Sequence, residues 1–172
     1  MSPRRQRLTS VVLMGVAASG KSSVMAALVA RLGWPALEGD ALHPSANVAK
    51  MAAGSPLSDA DRAPWLDAVG DWVSAREAER TSAIVTCSAL RRAYRDVLRR
   101  GRPSVWFVHL VAPRSVLKAR MQQREGHFMP AAMVDSQLAT LEPLGPDEPG
   151  TTLDATSTPD EIAEQLVATL RL

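Results

Sequence analysis

The chain has 172 residues, 46% of them hydrophobic and 22% charged, the balance of a soluble globular protein of one domain. A chain this long buries roughly two-thirds of its unfolded surface, so it needs no disulfide or structural metal, and its one cysteine, Cys87, excludes an internal disulfide and fits a reducing compartment. The net charge of +2 comes from interspersed basic and acidic residues, which leaves no nucleic-acid footprint, and no apolar run reaches the ~20 residues that span a bilayer.

Arg4, Arg5 and Arg7 precede an apolar run from Val11 to Ala18, an outline shared with weak secretory leaders. Gly15 interrupts that run and Lys21-Ser22 follows it, so the segment reads better as a strand feeding a motif, behind an unstructured tail. Ser10 to Met14 reads as a buried strand. Lys21 to Leu32 reads as a helix with Val24, Leu28 and Leu32 on one face, closed by Gly33. A short strand is expected at Pro35 to Leu37, then helices at Ser45 to Ala53 and Pro64 to Glu79. Strand Ala83 to Cys87, helix Arg92 to Leu98, strand Val105 to Val111 and helix Arg114 to Gln123 follow. Arg124 to Pro130 reads as an exposed basic loop, Ala131 to Leu141 as a helix and Pro143 to Gly150 as a connection. Thr151 to Leu153 reads as a last strand and Pro159 to Leu170 as the closing helix. Strands alternating with helices imply a parallel sheet covered on both faces, an α/β fold of three layers.

The strongest signal is Gly15-Val16-Ala17-Ala18-Ser19-Gly20-Lys21-Ser22, a full match to G-x-x-x-x-G-K-[ST] between a strand and a helix. Its glycines let successive N–H groups point at phosphate oxygens, and the helix N-terminus adds partial positive charge. Lys21 would reach the β- and γ-phosphates of ATP, and the Ser22 hydroxyl would ligate Mg²⁺. The alternative is a glycine-rich strand–helix turn with an incidental lysine.

Glu38-Gly39-Asp40 follows the short strand, at the sheet edge where α/β proteins bind ligands. Phosphoryl transfer to an alcohol needs a carboxylate that orients the O–H and accepts its proton, a role Asp40 fits. Asp40 equally suits the cap of the next helix. Arg62, in Asp59-Ala60-Asp61-Arg62, would clamp a substrate carboxylate, or pair with Asp59 or Asp61 near a helix start. Arg120, Arg124 and His127 lie together, with Gly126 a candidate hinge. A guanidinium swinging in on a lid would stabilise the transferring phosphoryl group. A solvated basic helix end explains the same residues. Cys87 and His109 read as structural, and Ser88 has no partners for a hydrolase triad.

Taken together these motifs resemble the gluconate kinase family. The resemblance runs from Leu13 to about Leu153 through Met14-Gly15-Val16, Glu38-Gly39-Asp40, Leu42-His43-Pro44, Asn47 with Lys50-Met51, and Pro64-Trp65-Leu66. It continues through Cys87-Ser88-Ala89-Leu90-Arg91, Tyr94-Arg95-Asp96, His127-Phe128-Met129, Ser136-Gln137 and Leu141-Glu142. It implies a P-loop kinase fold similar to shikimate and nucleoside-monophosphate kinases: a five-stranded parallel sheet of order 2-3-1-4-5 with a lid at about 120–135. It also implies a cytoplasmic, homodimeric enzyme that uses ATP and Mg²⁺ to phosphorylate D-gluconate at the 6-hydroxyl, with no nucleic-acid or membrane partner. By the same resemblance Gly15, Val16, Ala17, Ala18, Ser19, Gly20, Lys21, Ser22 and Ser23 hold the nucleotide and Arg120 stacks near adenine. Asp40, His43, Lys50, Arg62, Arg91, His127 and Gln137 surround the sugar acid, with Lys21, Asp40 and Arg124 catalytic. Two departures are Ala18, where the family has Gly, and Ser23, where it has Thr; a Cβ at Ala18 resists positive φ and would retune the loop. Rival readings are a kinase for shikimate or a nucleoside monophosphate, and an ATP-binding module without catalysis.

Overall fold

Continuous apolar runs rich in β-branched residues build the central strands, and the two faces of the sheet serve different helices. The computed structural model describes residues 7–124 and 131–172. Strands β1 (Ser10–Met14), β2 (Ala36–Glu38), β3 (Ala83–Thr86), β4 (Val105–Val111) and β5 (Gly150–Asp154) form one sheet of order β2-β3-β1-β4-β5. Every pairing is parallel, with Val12 opposite Val85 on one side and Phe107 on the other. The helices are α1 (Lys21–Leu32), α2 (Ser45–Ala52), α3 (Asp59–Ala78), α4 (Arg92–Arg99), α5 (Arg114–Gln122), α6 (Ala131–Thr140) and α7 (Pro159–Leu170).

The pleat divides β1 between two cores. Val11 and Leu13 pack with Val24 and Leu28 of α1, Leu117 of α5 and Ile162 and Leu166 of α7. Val12 and Met14 pack with Trp65, Val69 and Val73 of α3, Leu98 of α4 and Phe107 of β4. Phe107 is fully buried, and truncating such a side chain costs ~3–5 kcal/mol. No helix among the described residues is long and apolar enough to cross a membrane.

The expected elements are all present, with several ends moved by one residue, among them β2, which runs from Ala36 rather than Pro35. Helix α3 starts at Asp59 rather than Pro64, because Ser58 and Asp61 form a reciprocal capping box ahead of the proline. Pro64 therefore sits inside the helix, where it lacks the N–H that would continue the ladder. A 3₁₀ turn over Gly39–Leu42 follows β2, and β5 runs two residues wider than its apolar centre. Its first residue, Gly150, lies where a Cβ would come 2.4 Å from Phe107 O, so only glycine lets the edge strand approach β4.

Because every strand runs parallel, the carboxyl ends of all strands open onto one edge, and the loops after β1, β2, β3 and β4 converge there. The buried Arg95–Glu148 pair braces this edge: Arg95 Nε donates to Glu148 Oε1 at 2.7 Å and Arg95 NH1 to Ala89 O at 2.9 Å.

Candidate active site

The phosphate loop leaves β1 at Gly15, where φ is 143° and a Cβ would meet Leu110 O at 2.8 Å. Gly20, at φ 95°, caps α1. Between them Ala18 holds φ 65°, a left-handed conformation costing an L-residue ~1–2 kcal/mol. The fold retains it because the Ala18 side chain is buried in the core. Gly15 N–H donates to Ser88 O at 3.2 Å, tying the loop to the end of β3. Lys21 Nζ bridges the loop, donating to Gly15 O and Val16 O at 3.0 Å each. Burial lowers the Lys21 pKa to about 8. The Asp40 carboxylate opposes that shift, Arg124 adds to it, and Glu38 opposes it more weakly. Ser22 and Ser23 stand exposed on the first turn of α1.

A cavity of about 350 Å³ flanks the loop, between Ala18, Gly20 and Ser23 on one side and Arg120, Arg124 and Pro159 on the other. The Arg120 guanidinium spans it, donating to Ala155 O at 2.7 Å and Ala18 O at 3.4 Å. A larger cavity, about 640 Å³, lies at the opposite edge of the sheet by Thr9, Ser104 and Arg171, away from all these groups.

Across the edge stands the turn that carries Asp40. Gly39 is held on both sides: its N–H donates to Thr86 Oγ1 at 3.2 Å, and its carbonyl accepts from Trp65 Nε1 at 2.8 Å. A Cβ there would lie 2.1 Å from Thr86 O, a backbone atom that cannot yield. Thr86 Oγ1 in turn donates to Glu38 Oε2 at 2.5 Å. The Asp40 side chain caps nothing: α2 begins behind Pro44 without a side-chain cap, and the Asp40 carboxylate is 86% exposed. His43 is sandwiched in the wall, stacked on Trp65 at 4.2 Å between ring centroids. Burial lowers its pKa, Asp40 opposes that and Arg62 reinforces it, so His43 is neutral at pH 7.

The cations of the cleft divide into paired and unpaired. Lys50 Nζ contacts both Asp61 oxygens at 2.8 and 2.9 Å. Arg91 lies 3.5 Å from Asp59 Oδ2, while Tyr94 Oη donates to Asp59 Oδ1 at 2.5 Å. Arg62 therefore has neither expected carboxylate. Its guanidinium lies 5.6 Å from the Tyr94 ring centroid and donates to Leu57 O, with no acidic partner among the described residues.

Gln137 meets the phosphate loop: its Oε1 accepts from Ala17 N–H at 2.6 Å. That N–H can only donate, so the orientation of the Gln137 amide is set. Arg124 follows α5, exposed, its charge felt at Lys21. His127 and the Gly126 hinge lie outside the described residues. The other structural readings hold: burial raises the Cys87 thiol to about 12 and lowers His109 to about 4. Sequence reasoning assigned no role to Asn47, Trp65 or the Tyr94–Asp59 pair. Only the one-turn spacing from His43 to Asn47 hinted at a contact.

A helix N-terminus offering amides and a lysine to a polyphosphate, across from a carboxylate, is the arrangement of a P-loop kinase. Residues 11–144 match the family model described as AAA domain. The gluconokinase of Gluconobacter oxydans (strain 621H) is 49% identical over 157 residues, covering 91% of this chain and 88% of that protein. The thermoresistant gluconokinase of Escherichia coli (strain K12) is 43% identical over 137 residues, 80% of this chain and 78% of that one. The crystal structure of a gluconokinase from Sinorhizobium meliloti 1021 superposes with a TM-score of 0.84 at 45% identity, covering 97% of this chain and 94% of the other. The chain belongs to the gluconokinase family.

Proposed function

We propose the roles by which this member of the gluconokinase family transfers the γ-phosphoryl group of ATP to the 6-hydroxyl of D-gluconate, giving 6-phospho-D-gluconate and ADP. The observation that carries the reading is the phosphate loop at the carboxyl end of β1, with Lys21 Nζ held to Gly15 O and Val16 O, and the Asp40-bearing turn after β2 on the same edge of the parallel sheet. Phosphate, general-base and acceptor sites are assigned to that edge.

The amides of Gly15 to Ser23 and Lys21 hold the β- and γ-phosphates, and the cavity under Arg120 takes the base. The sugar-acid carboxylate goes to Arg62, whose guanidinium lacks an acidic partner among the described residues, with Arg91, Lys50 and His43 lining the same cleft. The 6-hydroxyl then lies between Asp40 and the γ-phosphorus. Its oxygen forms the new P–O bond, the bond to the ADP oxygen breaks, and the hydroxyl proton passes to Asp40. Arg124, at the start of a lid spanning about 120–135, neutralises the charge that spreads over the equatorial oxygens. His127, outside the described residues, is assigned to the sugar acid by the family resemblance. Gln137 works from the phosphate loop through Ala17.

The residues fit Mg²⁺. Ser22 presents an exposed hydroxyl on the first helical turn, and no three His, Cys, Asp or Glu among the described residues could hold an ion alone. Such a donor set suits an ion carried mainly by phosphates and water. When bound, Mg²⁺ supplies charge neutralisation across the β- and γ-phosphates. The buried free thiol of Cys87 supports a reducing, cytoplasmic setting. A homodimer rests on the family resemblance, and sedimentation equilibrium tests it.

A coupled assay of ADP release over gluconate, shikimate, other sugar acids and nucleoside monophosphates tests the assignment. Turnover is expected with gluconate. Phosphorylation of shikimate or a nucleotide, without gluconate, would overturn it.

A further inference from the structure

We infer that Asn47 is a positioning residue that fixes the tautomer of His43 and thereby presents an N–H donor, rather than a lone pair, to the Asp40 carboxylate. The inference rests on the role just given to Asp40.

Asn47 is the buried polar residue of α2, 3% exposed. Its Nδ2 donates to the Asp61 carbonyl at 2.8 Å. A carbonyl oxygen only accepts, so the amide orientation is settled: rotating it by half a turn would set two oxygens against each other. The same NH₂ has a second hydrogen, and its second neighbour is His43 Nδ1 at 3.3 Å. Nδ1 must then be the bare, accepting nitrogen. Burial keeps the ring neutral, so its single proton lies on Nε2.

Nε2 is the ring atom that faces Asp40, 3.8 Å from Oδ1. The two partners differ in freedom. The His43 side chain is 5% exposed and clamped by Trp65, whose own Nε1 is tied to Gly39 O. The Asp40 carboxylate is 86% exposed and free to turn about its side-chain bonds. A fixed donor therefore meets a movable carboxylate. One Asp40 oxygen turns toward Nε2–H, and the other is left to accept from the substrate hydroxyl. In the opposite tautomer a nitrogen lone pair would face the carboxylate and repel it. Asp61 links this device to the cleft wall: its carbonyl orients Asn47, its carboxylate closes the α3 capping box and holds Lys50.

The test is ¹⁵N NMR of imidazole-labelled full-length protein at pH 7, with each of the three histidines assigned by removing it in turn. Wild type is expected to show His43 Nδ1 unprotonated and Nε2 protonated. A protonated Nδ1 would overturn the inference; the His109 and His127 variants assign His43 by elimination, so the reading does not depend on a His43 or Asn47 variant folding. In Asn47→Asp the new carboxylate accepts from Nδ1–H and should move the proton to that nitrogen. Gluconate-dependent kcat should then fall about 10-fold or more, as losses of orienting partners do, with KM for ATP within twofold. A tautomer that does not move, or one that moves with kcat unchanged, contradicts the inference. Absence of gluconate turnover in wild type would instead sink the functional assignment and leave the spectrum interpretable.

Discussion

The two halves of the cleft are built from different materials. The nucleotide half, from β1 through the phosphate loop into α1, is made of backbone: Gly15, Ala18 and Gly20 take positive φ, which curls the loop between strand and helix. The acceptor half is made of side chains from α2, α3, α4 and the turn after β2, several of them held by partners distant in sequence. Tyr94 reaches Asp59 across 35 residues, and Lys50 reaches Asp61 across 11. A backbone site tolerates many side chains and binds what all nucleotides share. A side-chain site loses its selectivity with single substitutions, so the two halves should fail differently when mutated.

The sharpest contrast is at the charge that joins them. Arg124→Ala should lower kcat on the order of 10³-fold, as loss of a transition-state arginine does, with wild-type stability in thermal melts. Within the acceptor half, Arg62→Ala should raise KM for gluconate roughly 30-fold, since hydrogen bonds to charged groups contribute ~1.5–3 kcal/mol. KM for ATP should not move, and steady-state kinetics in both substrates separates the two effects.

On the nucleotide side, Lys21 titrates near pH 8 without ligand because burial disfavours its charged form. A polyphosphate favours that form and raises the pKa again. ATP binding should therefore take up a fraction of a proton that grows as pH rises from 8 to 9 and is near zero at pH 7. Calorimetry in buffers of different ionisation enthalpy reads this directly. The smallest effect is expected at Ala18→Gly. Relief of ~1–2 kcal/mol of left-handed strain is offset by a buried methyl worth ~0.8 kcal/mol and by added chain entropy. Melting temperature and KM for ATP should barely change.

The same division explains what could be read from the sequence. The phosphate loop was legible because its requirement is local: a buried strand, glycines at the turns and a helix start. β1, α1, β4 and α7 have the expected bounds for similar reasons, being long apolar runs or helices closed by Gly33 or opened by Pro159. The start of α3 was hidden because Pro64 mimics a first helical residue, while the Ser58–Asp61 box lies earlier. The partners of Arg62 could not be read from Asp59 and Asp61 beside it, since Tyr94 and Lys50 claim those carboxylates through tertiary contacts. Gln137 was even less accessible, because its contact with Ala17 spans 120 residues. Beyond its one-turn spacing from His43, Asn47 gives no sign of the role inferred for it until the His43 ring and the Asp61 carbonyl are placed on either side of it.

The most direct test compares gluconate-dependent ADP release by wild type and Asp40→Asn at saturating ATP and gluconate. If the aspartate takes up the hydroxyl proton, kcat should fall about 100-fold or more while KM for ATP stays within twofold. An Asp40→Asn enzyme that keeps kcat within threefold of wild type would contradict the account.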